Sequence, residues 1–383
     1  MKLIYVSPEY SGSVVEGQVY KLLDYYLSKG WFNEIVLLQS YNSYDKFLET
    51  KQVLKNHNFQ YKLFYSKPWN PFKVFKTKRE LSDLLNNEIN ECDFIVHTRT
   101  TIMAFHACYA LEYIKKPLNV LADERGAIFY ELKYKAKKTN NIIYKIKSWL
   151  QYSFFLYCYR TVRLNNIQIS TVSFSMKELL VKNKFLGSNI SVHPNIASDI
   201  FVYNEELRYN TREKLGISKN ESLVILSSGE GGLWQNDIET IDILLKQNVK
   251  ILNLSKKEIN KQGVINLFIP HNEMPYYLSA ADVAILWREN EVLNNVACPS
   301  KFGEFVVMGL YVIHNKTVDI ATKYIKENHA GLLVDEADEI RVNNDALYYQ
   351  LERQRRIESG RKIFSVEEIA KSYYKKYISI YCD

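Results

Sequence analysis

Two charged side chains, Lys301 and Glu304, lie three residues apart in the largely apolar stretch 298–315. The stretch predicts a short helix that ends at Gly309 and is followed by a buried strand at 311–313. A lysine beside the free N–H groups of a helix N-terminus can bind phosphate, and a glutamate one turn later can accept hydrogen bonds from sugar hydroxyls. An exposed ion pair would give the same spacing. The stretch therefore predicts either a ligand site or a surface ion pair.

A second candidate site follows the strand pattern 223–226, where the chain enters a loop rich in glycine and serine. The N–H groups of such loops cradle phosphates, although this loop lacks the Walker spacing and many turns after strands are rich in glycine. His271 and Arg288 follow two further strand patterns of the same half of the chain. The loop residues predicted to bind phosphate are Ser228, Gly229, Gly231 and Gly232.

Polar residues also follow strand patterns in the first half of the chain. Arg99 follows the strand pattern 94–97, while Asp123 and Arg125 follow the pattern 118–121. Because the carboxyl ends of parallel strands line the ligand crevice of an open sheet, these side chains are candidates for binding. Gly12, after the first strand pattern, permits close backbone approach. A structural Asp123–Arg125 clamp and ordinary turn chemistry at Gly12 are the alternatives.

The elements that must position these residues alternate between strands and helices along the chain. At 383 residues the chain predicts two domains, and the alternation predicts the α/β class with two doubly wound, Rossmann-like domains facing across a cleft. We place the domains at residues 1–197 and 198–365, and expect an amphipathic helix at 366–383 to pack back on the first domain. The GxGxxG fingerprint of dinucleotide-binding folds is missing.

Positive charge is concentrated in the first half of the chain. The net charge is +7, but residues 1–200 contain 27 Lys and Arg against 17 Asp and Glu. The segment 50–79, between Glu49 and Glu80, contains no acidic residue and is rich in aromatic residues. The same is true of the segment 132–177, between Glu131 and Glu178. This mixture suits an anionic membrane surface, or simply a solvated basic face over a packed helix. No nucleic-acid-binding motif is present, so we expect no nucleic-acid partner.

Composition also predicts the compartment. No segment approaches the roughly 20 apolar residues of a membrane-spanning helix, and the first residues do not resemble a signal peptide. The five cysteines are scattered and lack metal-ligand spacing. These features predict a cytoplasmic protein with free thiols, peripheral at the inner face of the plasma membrane.

Three segments, in this order, resemble a known family. Residues 123–126 (Asp-Glu-Arg-Gly) resemble an Asp-x-Arg-Gly turn, and residues 192–195 (Val-His-Pro-Asn) resemble a Val-Pro-Asn crossover. The longest match starts at Ile269, continues through Ala280-Ala281-Asp282, and resumes at 299–305 and 309–313. The order is similar to that of retaining GT-B glycosyltransferases of family four, in the bacterial surface-polysaccharide group.

The resemblance implies roles for several residues. Glu304 matches the second glutamate of the family's Glu-x7-Glu signature, which holds the donor ribose, whereas the first glutamate would fall at Val296 and is missing. Asn294 or Asn295 is then the substitute contact to the transferred sugar. The family's Arg and Lys after the glycine-rich loop are also missing, so Arg288 and Lys301 are expected to neutralise the diphosphate as its charge develops.

These observations together predict a hexosyltransferase that uses a nucleotide-diphosphate sugar, with UDP favoured, and retains the anomeric configuration. The acceptor is expected to be a growing, lipid-linked glycan, and neither a metal nor a cofactor is required. Two alternatives stay open: a GT-B nucleotide-sugar epimerase and a non-catalytic partner protein. The predicted donor-binding residues are Ser228, Gly229, Gly231, Gly232, His271, Asn295, Lys301 and Glu304; the acceptor-binding residues are Gly12, Arg99 and Arg125; the catalytic residues are Asp123, as base, with Arg288 and Lys301.

Overall fold

The computed structural model describes residues 1–9, 12–89, 93–226 and 238–382. The chain forms two compact units: Met1–His193 with Ala370–Asp383, and Pro194–Ile369. The first boundary lies at residue 193, whereas the sequence patterns placed it at 197. Among the described residues, no helix is both long and apolar enough to cross a membrane.

A seven-stranded sheet forms the centre of the first unit. Its strands are all parallel and lie in the order β3-β2-β1-β4-β5-β6-β7, which is the order of a doubly wound fold. Apolar runs such as residues 3–6, with no exposed surface, form the strands because helices cover both faces of the sheet. The strands are β1 (Lys2–Ser7), β2 (Glu34–Tyr41), β3 (Gln60–Tyr65), β4 (Phe94–Arg99), β5 (Val120–Glu124), β6 (Gln168–Thr171) and β7 (Ile190–Val192).

The helices of the first unit connect these strands. The segment 50–79 contains the end of one helix, all of β3 and the beginning of the next helix, so much of it belongs to regular structure. The helices are α1 (Ser13–Val15), the π-helix Glu16–Tyr20, α2 (Lys21–Lys29), α3 (Tyr44–Leu54), α4 (Val74–Glu88), α5 (Thr101–Tyr113), α6 (Ile128–Lys138), α7 (Ile142–Leu164) and α8 (Phe174–Lys182), with 3-10 turns at Pro71–Lys73 and Gly187–Asn189.

One strand of this sheet is displaced from its predicted position. The sequence pattern placed a strand at 118–121, with Asp123 beyond its end, whereas β5 runs from Val120 to Glu124. Asp123 pairs with Arg99 of β4 in the parallel register and is fully buried. Both residues therefore lie at the carboxyl ends of their strands, as predicted, but inside the last two positions rather than beyond them, because buried partners allow polar residues there.

The C-terminal helix α17 (Val366–Cys382) belongs from Ala370 onward to the first unit. Tyr373 and Tyr377 on this helix are fully buried, and the ring of Tyr377 lies 6.1 Å from that of Tyr26 in α2. The predicted packing of this helix on the first unit is therefore observed. Residues of this helix therefore pack in the same core as residues of α2.

A six-stranded parallel sheet forms the second unit, in the order β10-β9-β8-β11-β12-β13. The order repeats the doubly wound pattern of the first unit. The strands are β8 (Leu223–Leu226), β9 (Lys250–Asn253), β10 (Val264–Asn266), β11 (Val283–Leu286), β12 (Tyr311–His314) and β13 (Gly331–Leu333). The helices are α9 (Glu205–Lys214), α10 (Ile238–Leu245), α11 (Met274–Ala280), α12 (Val292–Asn295), α13 (Ser300–Val307), α14 (Asp319–Asn328), α15 (Ala346–Gln350) and α16 (Arg353–Phe364), with 3-10 turns at His271–Glu273 and Ala337–Glu339.

The aspartate of the Ala-Ala-Asp segment has a structural position. Asp282 is fully buried immediately before β11, and its carboxylate accepts hydrogen bonds from Arg208 at 2.6 Å and from Arg212 at 3.1 Å. The Leu223 N–H donates to it at 3.0 Å. Asp282 therefore fastens α9 to the amino-terminal edge of the sheet, opposite the edge where ligands bind.

Close packing between α13 and α16 fixes the helix that carries Lys301 and Glu304. A Cβ atom added to Gly360 of α16 would lie 2.6 Å from the carbonyl oxygen of Val306, so only glycine fits at this contact. Gly309 ends the helix region at φ +71°, a left-handed conformation that favours glycine. The helix predicted from the sequence thus exists, and its position depends on α16.

Candidate functional site

Each sheet has one point where the strand order reverses, and ligands of doubly wound folds bind at the carboxyl edge near that point. In the first unit it lies between β1 and β4, where Arg99 Nε donates to Glu9 Oε2 at 2.7 Å. In the second unit it lies between β8 and β11. Arg288 follows β11, while the predicted phosphate-binding residues after β8 lie outside the described residues: Ser228, Gly229, Gly231 and Gly232.

Glu304 is the centre of the charged cluster in the second unit. It lies on the second turn of α13 with 5% of its surface exposed. Lys301 Nζ lies 3.1 Å from its Oε2 atom, and His271 Nε2 lies 3.7 Å from its Oε1 atom. The structure thus brings together three of the predicted donor-binding residues, one from the 3-10 turn His271–Glu273 and two from α13.

The surroundings of Glu304 keep its carboxylate ionised. Burial by itself would raise the pKa, but the Lys301 charge and the neighbouring His271 ring lower the pKa below its usual value. The helix also begins without a side-chain cap, since Pro299 occupies the N-cap position. A nearly buried carboxylate beside a lysine and a histidine can accept hydrogen bonds from the hydroxyls of a bound sugar.

Two further residues predicted to bind the donor, Arg288 and Asn295, have defined contacts in the structure. Arg288 is 8% exposed, and its backbone is tied to Asn315 by hydrogen bonds of 3.3 and 2.7 Å. The side-chain amide of Asn295 donates to the carbonyl of Thr317 at 2.8 Å. Arg288 is therefore placed at the carboxyl edge, whereas the Asn295 amide nitrogen connects α12 to the loop after β12.

The position of the missing first glutamate is part of the core. Val296 is only 4% exposed, immediately after α12. A glutamate side chain placed in this packed position would have to be desolvated or displace its neighbours. At the position where the first glutamate is missing, the valine side chain therefore packs in the core.

The Val-His-Pro-Asn segment supports the loop before α13. The Asn195 N–H donates to Cys298 Sγ at 3.4 Å, and its side-chain amide donates to the Cys298 carbonyl. Cys298 is 3% exposed. Both residues therefore have a structural role, in that they position the start of the helix with Lys301 and Glu304.

Asp123 forms the centre of a buried network in the first unit. Arg125 Nε donates to Asp123 Oδ2 at 2.6 Å, and the Tyr373 hydroxyl donates to Oδ1 at 2.9 Å. His97 Nε2 lies 3.5 Å from Oδ2, and His193 stacks on Tyr373 with ring centroids 4.0 Å apart. These contacts match the structural Asp123–Arg125 clamp, which was one of the alternatives in the sequence analysis.

The electrostatics of this network argue against Asp123 as a general base. Burial would raise the pKa of its carboxyl, but the Arg125 charge and the neighbouring His97 ring hold the pKa far below its usual range. A general base needs a pKa near the working pH and access to the proton that it removes. Asp123 has neither, since it is fully buried and firmly ionised.

A polar cavity of about 350 Å³ lies beside Arg125 in the first unit. The groups that can bind a hydroxyl or phosphate there come from Glu9, Thr100, Arg125, Glu131 and Gln151. Of the three residues predicted to bind the acceptor, Arg125 lines this cavity and Gly12 is not among its described lining residues. Arg99 does not line it either, but its side chain donates a hydrogen bond to Glu9, which does. The sequence missed Glu9, although its position directly after β1 is the signal that singled out Arg99. Glu131 and Gln151, on helices, had no such signal.

An apolar cavity of about 620 Å³ lies next to the polar one, and Trp69 and Gln151 line both. Its apolar side chains come from Pro8 after β1, from the turn before α4 and from the first half of α7. Several apolar residues of that half of α7 are exposed to solvent, including Ile142 at 72%, Ile143 at 79% and Trp149 at 64%. The basic aromatic segment 132–177 therefore has several large apolar side chains exposed to solvent.

A third cavity of about 300 Å³ lies near the end of α7. Aromatic rings of Phe129, Tyr159 and Phe185 form part of its wall, and its charged lining residues are all cationic: Arg160, Arg163, Lys182 and Lys184. Because these charges have the same sign, the cavity carries a positive potential. The cationic lining continues the acid-free character of the segment 132–177.

The two doubly wound units, with parallel sheets of seven and six strands, define the GT-B fold. Among solved structures, a glycosyltransferase from Rickettsia africae superimposes with a TM-score of 0.70 at 15% identity, over 99% of this chain and 98% of that chain. HepE from Anabaena, in complex with UDP, superimposes with a TM-score of 0.67 at 13% identity, over 99% of this chain and all of that chain.

The same fold also occurs in an enzyme of another class. A UDP-GlcNAc 2-epimerase from Neisseria meningitidis, bound to UDP-GlcNAc, superimposes with a TM-score of 0.56 at 14% identity, over 99% of this chain and all of that chain. No protein-family model matches the chain, and no curated protein matches it by sequence. The structural similarity thus defines the fold, and function has to be argued from the site.

Proposed function

We propose that this protein is a glycosyltransferase that moves a sugar from a nucleotide-diphosphate donor to a glycan acceptor. The observation that carries the proposal is the Glu304 cluster: a nearly buried, ionised carboxylate beside Lys301 and His271 at the start of a helix in a GT-B fold. Its parts match the needs of a nucleotide-sugar, since a carboxylate binds a ribose diol and a lysine at a helix N-terminus binds phosphate.

The second unit would bind the donor. Glu304 accepts hydrogen bonds from the ribose, while Lys301 and Arg288 neutralise the diphosphate as it leaves. The glycine-rich loop at 227–232 and His271 complete the predicted donor site, and Asn295 is the proposed contact to the transferred sugar. HepE is described in complex with UDP and also with UDP-glucose, which supports a UDP-sugar as the first donor to test.

The first unit would bind the acceptor in the polar cavity beside Arg125. The proposed reaction retains the anomeric configuration and transfers a hexosyl group to a lipid-linked glycan of a bacterial surface polysaccharide, without a metal or cofactor. Because Asp123 is buried and paired, we assign it a structural role and leave the general base unassigned. The acid-free character and exposed apolar side chains of segment 132–177 support a peripheral location at the inner face of the plasma membrane.

Calorimetric titration with UDP and UDP-glucose tests the donor site. We expect UDP to bind the wild-type protein and expect Glu304→Gln to weaken it by about ten- to hundredfold, because a charged hydrogen bond is worth about 1.5–3 kcal/mol. Glu327→Gln is the matched control, since Glu327 also pairs with a lysine on a helix but is exposed. Equal UDP affinity in wild type and Glu304→Gln would overturn the donor-site assignment.

An epimerase is the second candidate, because the same fold occurs in the epimerase from Neisseria meningitidis. NMR spectra of a nucleotide-sugar incubated with the protein alone separate the two functions. The transferase proposal expects an unchanged sugar until an acceptor is added. Formation of an epimer would decide for the epimerase, and UDP binding without any turnover on added acceptors would support a non-catalytic partner protein.

A further inference from the structure

The third cavity of the first unit belongs neither to the proposed donor site nor to the polar cavity beside Arg125. It has no lining residue in common with the polar cavity, and the proposed donor residues lie in the second unit. We propose that the third cavity is a binding site for a phosphorylated sugar, in which cationic side chains bind the phosphate and apolar side chains contact the sugar ring. The inference goes beyond the proposed function, because neither the donor nor the acceptor is assigned to this cavity.

The charge of the cavity favours a ligand with more than one negative charge. Its charged lining residues are Arg160 and Arg163 of α7 with Lys182 and Lys184 at and after the end of α8, and the described lining contains no carboxylate. None of these four cations forms an ion pair in the part of the chain that the structure describes. A phosphate monoester carries a charge of about −1.5 to −2 at pH 7, whereas a carboxylate carries a single charge. The four cations therefore match a phosphate better than a carboxylate.

The ends of two helices bring the four cations together. Arg160 and Arg163 are three residues apart, so they lie on the same face of α7. Lys184 has a left-handed backbone at φ +70°, and its N–H donates to the carbonyl of Val181 at 2.9 Å, as at many helix ends. Cations in the last turn of a helix stabilise its C-terminus, which explains Arg163 and Lys182. That effect does not explain Arg160, one turn earlier, or Lys184, beyond its helix.

Three buried aromatic rings form the base of the cavity. The ring of Tyr159 lies 5.3 Å from that of Phe129 and 5.9 Å from that of Phe185, each in an edge-to-face arrangement. All three residues are 7% exposed, whereas the cations other than Arg163 are exposed. The cavity thus has an apolar base and a cationic rim, and the half-exposed Leu156 extends the apolar surface. A sugar ring has apolar C–H faces, so contact with these side chains removes apolar surface from water.

The size of the cavity limits the ligand to about one sugar ring. Its volume of about 300 Å³ lies at the lower end of the range of about 300–1,000 Å³ that is usual for ligand pockets. The side-chain amide nitrogen of Asn183 donates to the Leu179 carbonyl at 2.7 Å, which leaves the Asn183 side-chain oxygen to accept a hydrogen bond from a sugar hydroxyl. A monosaccharide phosphate therefore fits the cavity better than an oligosaccharide.

Calorimetric titration of the full chain with glucose 6-phosphate tests the inference. We expect one molecule to bind per chain, and we expect Arg160→Gln and Lys184→Gln each to weaken binding by about tenfold, because each variant loses a charged hydrogen bond to the phosphate. Lys145→Gln is the matched control, since Lys145 is an exposed cation of the same helix that lines none of the three cavities. Glucose and inorganic phosphate, each holding one half of the probe, should both bind more weakly.

Titration with UDP separates this site from the donor site. Glucose 6-phosphate should bind equally well with and without UDP, and Arg160→Gln should keep wild-type UDP affinity, which also shows that the variant is folded. Binding of glucose 6-phosphate without binding of UDP would support this site and refute the donor proposal. Binding of UDP alone, or competition between the two ligands, would refute a separate site. Equal weakening in Arg160→Gln and Lys145→Gln would also refute it, since the effect would then belong to the overall charge.

A membrane lipid is another source of a phosphate monoester, and vesicles of phosphatidylcholine and phosphatidic acid provide the comparison. Under the proposal, Arg160→Gln loses no more vesicle binding in co-sedimentation than Lys145→Gln does. If Arg160→Gln loses more vesicle binding and the wild type does not bind glucose 6-phosphate, the cations bind lipid headgroups and the sugar-phosphate site is refuted.

Discussion

The Tyr373 hydroxyl donates a hydrogen bond of 2.9 Å to the Asp123 carboxylate, although 250 residues separate the two along the chain. The same hydroxyl accepts a hydrogen bond of 2.8 Å from Arg125, so it connects both members of the buried ion pair. The C-terminal helix thus completes the polar centre of the first unit. Truncation of the last helix would leave that centre without one of its hydrogen-bonding groups.

Removal of this hydroxyl should destabilise the protein. We expect Tyr373→Phe to lower the free energy of unfolding by about 1–3 kcal/mol, because a buried carboxylate and guanidinium each lose a partner. Urea unfolding monitored by circular dichroism measures the change. The control is Tyr374→Phe, whose hydroxyl has no hydrogen-bond partner among the described residues and should change stability by less than about 0.5 kcal/mol. Equal stability of both variants would contradict the structural role of Tyr373.

Acid should destabilise the protein partly through His193. Burial lowers the pKa of His193 to about 3, whereas an unfolded histidine titrates near 6.5. The unfolded chain therefore binds more protons between these values, and stability is complete above about pH 6.5 and decreases as the pH falls toward 3. We expect His193→Asn to flatten the slope of unfolding free energy between pH 7 and pH 5, whatever its effect at pH 7.

Urea unfolding at several pH values provides the measurement for this prediction. The exposed His329 offers a control, because its left-handed backbone at φ +47° accepts asparagine readily. His329→Asn should leave the slope as it is in wild type. An identical slope in His193→Asn and wild type would mean that His193 contributes nothing to acid sensitivity.

A glutamate at position 296 should damage the fold rather than restore a donor contact. Val296 is 4% exposed, so Val296→Glu buries a carboxyl group without a prepared partner and should cost about 3 kcal/mol. Val292→Glu, at a position 37% exposed on α12, should cost less than about 1 kcal/mol. Thermal unfolding of both variants tests the difference. A stable Val296→Glu variant with tighter UDP-glucose binding would contradict this expectation.

The contact between α13 and α16 should be intolerant of a single added methyl group. Gly360→Ala would place Cβ at 2.6 Å from the Val306 carbonyl oxygen, and overpacking of this kind costs about 1–3 kcal/mol. Alanine normally stabilises a helix interior relative to glycine, so a loss of stability would identify the contact as its cause. Under the proposed function, the shift of α13 should also weaken UDP binding.

Gly17→Ala serves as the control for this contact, because a Cβ atom at Gly17 meets no atom within 4 Å. It should unfold at the wild-type temperature or slightly above. Both variants can be compared by thermal unfolding and UDP titration. A Gly360→Ala variant as stable as Gly17→Ala would show that the helices separate at little cost.

Several features of the fold could be predicted from the sequence because local patterns encode them. Alternating strand and helix patterns identified the α/β class and the two doubly wound units, and Gly309 identified the end of the helix that carries Lys301 and Glu304. The rule that ligands bind at the carboxyl ends of strands singled out Arg125 and Arg288. These inferences need only neighbours along the chain.

Only the tertiary structure decided what the same side chains face. Asp123 appeared as a site residue in the sequence, but Arg125, His97 and Tyr373 surround it in the core. Val296 is buried for a similar reason, and the two cavities combine residues 69 and 151 from segments far apart in sequence. Burial and electrostatics depend on partners that packing brings from distant positions, and no local pattern of residues contains that information.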